Sequence, residues 1–76
     1  GIGGFEPVDI NKLCQELLEI LKKSILLPKQ IESSLDLDPE IPMVKTDRDG
    51  LKQVFINIIK NAAEAMDSGG KISVST

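Results

Sequence analysis

The sequence predicts a two-layer α/β (α+β) sandwich in which helices cover one face of a mixed sheet, and three observations predict it. Apolar residues recur with a helical period in two long stretches, 10–25 and 51–66. Each stretch is followed by a short run of alternating apolar and polar residues, at 31–38 and 71–75. Proline- and glycine-containing breaks separate these segments, and one-sided helices and one-sided strands bury their apolar sides against each other.

Residues 1–4, Gly-Ile-Gly-Gly, read as a linker, because no preceding strand or following Gly-Lys-Ser/Thr supports a phosphate-cradling loop. Residues 5–76 form the domain segment, whose extended opening is stopped by Pro7 and then Asp9. Asp9 offers a capping carboxylate to a helix that begins at Ile10. Its apolar face is Ile10, Leu13, Cys14, Leu17, Leu18, Leu21 and Ile25, and Pro28 is expected to end it. Ile31, Ser33, Leu35 and Leu37 then share one side of a half-buried strand, with Glu32, Ser34, Asp36 and Asp38 on the solvated side. Those alternating carboxylates lack the glycine-containing loop of a calcium site. Pro39 and Pro42 bracket a turn before a short extended piece at 43–45.

Asp47 is the expected cap of the second helix, with Asp49 in its first turn. Leu51, Val54, Phe55, Ile58, Ile59, Ala62, Ala63 and Met66 form a broad apolar stripe that should face the core. The Asp67–Gly70 segment supplies turn chemistry. A strand follows, with Ile72 and Val74 inward and Lys71, Ser73 and Ser75 outward.

Composition narrows the function classes. The chain has 76 residues, a net charge of −3 and only two aromatic residues, which argues against a nucleic-acid surface with its clustered cations and stacking rings. No apolar run has the length of a membrane span, so this segment is expected to make no membrane contact. The lone cysteine, Cys14, lies on an apolar helix face, as a core residue does, and a reducing, cytoplasmic setting is expected. Histidine is absent from the sequence, so any histidine chemistry has to come from elsewhere.

The second helix carries a further pattern. At about 100° per residue, Asn57, Asn61, Lys60, Glu64 and Gln53 gather in a polar sector bordering the apolar stripe. Asparagine is a mediocre helix former, so a pair of them needs either a reason or an indifferent environment. Spacing alone leaves both readings open. The chemical one is that an amide oxygen can ligate Mg²⁺ without cancelling its charge, leaving it free to hold the phosphates of a nucleotide. Lys60 could then sit near phosphate, while Glu64 could bond a metal-shell water or, the stronger expectation, pair with Lys60.

The segment from Asp47 to Ser75, DRDGLKQVFINIIKNAAEAMDSGGKISVS, closely resembles the N-box region of sensor histidine kinases. Their ATP-binding domain belongs to the wider GHKL group, which includes type II topoisomerases. Upstream, FEPVDINKLCQELLEILKKSI is similar to the opening strand and first helix of that domain, and QIESSLDLDPEIPMVKTDRDGLKQV to the strand and connector leading into the N-box. The NxxxNAxEAM and GGxI pattern is most like that of nitrogen-regulation and sporulation-type kinases. Nearly the whole chain, 5–76, is covered.

The resemblance implies a partial GHKL (Bergerat) ATP-binding fold in a bacterial signalling kinase, with ATP and Mg²⁺ as cofactors. Asn61 would ligate the metal, and Asn57, Lys60 and Glu64 would line the nucleotide site. No catalytic residue is expected in this chain. ATPase relatives carry a water-activating glutamate at the Asn57 position, and an amide there suits a kinase whose phosphoryl acceptor is a histidine on another domain. At the Glu64 position many relatives carry a phosphate-touching basic residue, and this chain departs from them. The implied partners are the dimerising phosphoacceptor domain and a response regulator. The Asp-x-Gly-x-Gly segment, the lid and the later glycine-rich loop are not in this sequence, so it reads as the N-terminal half of the domain, inactive alone and prone to self-association through an unpaired strand edge. The rival readings are a non-catalytic α/β interaction module and an ATP-hydrolysing GHKL relative.

Overall fold

The computed structural model describes residues 4–67 and 69–76. Most of the glycine-rich lead-in, and Ser68 within the expected Asp67–Gly70 turn, lie outside them. The order of elements is β1 (Phe5–Val8), α1 (Ile10–Leu21), β2 (Ile31–Asp36), β3 (Val44–Asp47), α2 (Arg48–Glu64) and β4 (Gly70–Ser75).

The first helix starts where its cap requires. The Asp9 carboxylate accepts from the Lys12 backbone N–H at 3.0 Å, and Leu13, Cys14, Leu17, Leu18 and Leu21 are buried. Its end differs from expectation. Pro28 does not stop the helical path: α1 passes into a π turn at Lys22–Leu26 and a 3-10 turn at Leu27–Lys29, which holds Pro28 in its first positions. The Leu27 N–H reaches back five residues to the Lys22 carbonyl, and Pro28 is tolerated because the opening positions of the 3-10 turn need no N–H from it. Gln30, in the left-handed region at φ 60°, then redirects the chain into β2.

The parallel and antiparallel pairings of the expected mixed sheet are both present, but in two separate two-stranded ribbons. β1 runs antiparallel to β3, with Phe5 opposite Asp47 and Val8 opposite Val44. β2 runs parallel to β4, with Ile31 opposite Gly70 and Asp36 opposite Ser75. A parallel pair needs a long crossover, and α2 lies within it. The outer face of the parallel ribbon is polar, as predicted, and the Ser34 and Ser73 hydroxyls meet across it at 3.1 Å.

Two apolar clusters hold the layers together. Leu18, Leu21 and Leu26 from the first helical segment meet Ile59 and Ala63 of α2 over Ile31 and Ile72 of the parallel ribbon. Val8, Leu13 and Leu17 form the second cluster, and Phe55 and Ile56 of α2 pack against both. Cys14 is buried, as its position on α1 predicted. No helix of the described residues is long and apolar enough to cross a membrane.

Candidate functional site

The second helix is positioned by a small number of anchors. Asp47 occupies the cap position with extended backbone angles, φ −79° and ψ 107°, but its side chain makes no capping hydrogen bond. The expected cap is therefore one of position only. Ile59 and Ala63 are the buried residues of the helix, while Leu51, Phe55, Ala62 and Met66 are half-buried. The rest of the predicted stripe faces solvent: Val54 is 53% exposed and Ile58 is 61% exposed. Ile56, which the stripe omitted, is half-buried and packs against both clusters. A wider apolar arc would have found it, since α2 lies between two cores instead of on one.

The uncovered apolar row and the asparagines are neighbours. Asn61 lies about 60° round the helix from Ile58, and Asn57 about 40° further on. On the other side of Ile58, α2 and β4 bound an open groove of about 460 Å³, lined by Phe55, Ile58, Ile59 and Ala62 and by Ile72 to Ser75. Neither asparagine lines the groove. They stand beyond its rim, adjacent in sequence or on the helix surface to Ile58 and Ala62.

All four predicted site residues, Asn57, Lys60, Asn61 and Glu64, are exposed. The Asn57 amide oxygen accepts from Gln53 Nε2 at 3.2 Å, one turn earlier. Lys60 and Glu64 do not form the expected pair; the ion pairs found among the described residues are Lys23–Glu19 and Arg48–Glu16. Lysine preceding glutamate by four is the weaker orientation of such a pair, and an exposed one repays little of the side-chain freedom it costs.

The donor set defines what this surface can hold. No group of three or more His, Cys, Asp or Glu side chains that could bind a metal occurs among the described residues. A single amide oxygen is a fitting ligand for a hard cation that brings phosphate and water as its remaining ligands.

No protein-family model matches the chain. Among curated proteins it is 35% identical over 71 residues to sporulation kinase E of Bacillus subtilis, covering 93% of this chain and 10% of that protein. Sporulation kinase C of the same organism is 33% identical over 72 residues, covering 95% of this chain and 17% of the kinase. The sensory histidine kinase/phosphatase NtrB of Rhizobium meliloti is 38% identical over 72 residues, covering 92% and 18%. The chain thus spans between a tenth and a fifth of the length of these relatives. Its two helices on two small paired-strand ribbons define the class, a mixed α+β fold, and this is consistent with part of an ATPase domain. By sequence the chain belongs with the sensor histidine kinases, matching one segment of each.

Proposed function

We propose that this chain is the N-terminal half of the Mg-ATP-binding domain of a two-component sensor histidine kinase, whose whole protein autophosphorylates a histidine on another domain and passes the phosphoryl group to a response regulator. The observation that carries this reading is the side-by-side placement, on one helix, of the Asn57–Asn61 row and the solvent-facing Val54–Ile58 row. An apolar row left uncovered at the edge of a groove suits a surface that a further wall closes, and the amides then border the closed space.

At the border of that space Asn61 would hold Mg²⁺ through its amide oxygen and Asn57 would contribute polar lining. The metal, when bound, neutralises charge on the phosphates. Lys60 lies further round the helix, where it would supply a point charge to phosphate, and Glu64 would accept from a water bound to the metal. The Asn57 amide cannot take a proton from water, so the site favours transfer to a separate acceptor over hydrolysis. Catalysis by the whole domain then rests on positioning and charge neutralisation.

Calorimetry with Mg-ATP on the complete protein tests the reading. Asn61→Ala and Asn61→Asp each abolish metal-dependent binding. Because Asn61 is exposed, Asn61→Ala leaves stability unchanged or raises it by a few tenths of a kcal/mol, roughly the difference in helix propensity. Unaltered nucleotide binding in Asn61→Ala would instead support an interaction module, a reading favoured by the Gln53–Asn57 bond, which already satisfies one amide along the helix surface.

A further inference from the structure

We infer that Lys29 is a positioning residue for the asparagine site, acting through the last turn of α2. The inference rests on the role proposed for Asn61 and adds a residue from a distant part of the chain.

A helix leaves its final carbonyls unpaired and its C-terminal end partially negative, and a cation there is stabilising. The last turn of α2 contains no basic residue and does contain Glu64, which adds charge of the wrong sign. The missing cation comes from Lys29, 34 residues earlier, whose Nζ donates to the Ala63 carbonyl oxygen at 2.5 Å in a partly buried setting. A hydrogen bond from an ammonium group is about twice as strong as a neutral one. The Lys29 carbonyl makes a second link, accepting from the Gly69 N–H at 2.8 Å. One residue therefore grips the chain on both sides of the turn that leaves α2.

The grip bears directly on Asn61. The backbone oxygen of Asn61 accepts from the Ala65 N–H at 3.2 Å, and that of Ala63 accepts from Met66 at 3.1 Å, so both belong to the closing turn. Helix ends fray unless they are tied, and a frayed turn would carry the Asn61 amide away from any fixed metal position. Lys29 is itself well placed to resist this, since it closes the 3-10 turn that contains Pro28 and the left-handed Gln30 follows. Asn61→Ala tests the ligand; Lys29 tests how firmly that ligand is held.

The experiment compares Lys29→Met, which keeps the apolar stem, and Lys29→Arg, which restores a cation, in the complete protein. Hydrogen exchange and Mg-ATP affinity are both measured. Lys29→Met speeds exchange of the amides at 63–66 by about tenfold or more while amides of α1 keep their rates, as a local opening requires. Affinity for Mg-ATP weakens by about tenfold without being abolished, and Lys29→Arg restores both values to within about threefold. Unchanged exchange at 63–66 overturns the inference. So does an equal rise in exchange across α1 and α2, which marks a purely structural lysine. Unchanged affinity in Lys29→Met, with binding abolished in Asn61→Ala, overturns it as well. Intact binding in Asn61→Ala is a different failure, that of the proposed metal role.

Discussion

Gly70 opens β4 with φ 147°, a backbone conformation that L side chains rarely adopt, and a Cβ there would fall 2.5 Å from Met66 Sδ. The methionine is flexible, so the backbone and not the contact sets most of the penalty. Gly70→Ala is expected to cost about 1–3 kcal/mol in urea denaturation. Adding Met66→Ala to that variant removes the collision but does not restore the loss; full recovery in the double-mutant cycle would place the strain in the side chain instead. Cys14 yields a pH prediction. Burial pushes its thiol above the ordinary value of 9.0, so the folded chain holds the proton more tightly than the unfolded one. The associated stability is intact below pH 9.0 and falls as pH rises towards the folded-state value. The urea midpoint should therefore drop more between pH 8.5 and 10 in the wild-type chain than in Cys14→Ala, and equal slopes would remove the thiol as the cause.

Within α2, neighbouring isoleucines should behave very differently. Ile59 is 3% exposed and joins both helices to the parallel ribbon, so Ile59→Ala is expected to cost about 2–5 kcal/mol. Ile58→Ala should stay within about 0.5 kcal/mol in thermal unfolding of this chain, because its side chain has little to lose. Comparable losses at the two positions would mean that the exposed row is covered in solution. Local pattern was enough to place Asp9 at the start of α1 and Ile72 and Val74 on the inner face of β4. It misjudged Pro28 because the proline falls in the opening positions of a 3-10 turn, where its missing N–H is not needed, and no periodicity announces such a turn. Val54 and Ile58 were misjudged for another reason: helical spacing says which residues share a side, while burial depends on what lies opposite. The asparagine row was visible for the same geometric reason. Its place outside the groove was not, and Lys29 left no local signal, since its partner carbonyl lies far along the chain.

The molecule is a slab of 38 × 29 × 17 Å with a radius of gyration of 13.2 Å. A compact domain of this length would measure about 11 Å, so the layers spread instead of closing on themselves. Phe5, Met43, Val44, Val54 and Ile58 are exposed, and β4 has a strand on one side only among the described residues. A net charge of −3 offers modest repulsion against contact between such surfaces. Light scattering of the isolated chain is expected to show mass rising with concentration, and a monodisperse monomer at high concentration would exclude that association. The pairing of β2 with β4 carries a consequence for synthesis. Its cross-strand partners are separated by 39 residues, as Ser34 and Ser73 show, so the ladder cannot begin to form on the ribosome until β3, α2 and the start of β4 have all emerged. Ile31 therefore waits 39 residues for its neighbour Gly70 to emerge, and this late closure should make a slow, non-local step, rather than helix formation, set the pace of folding.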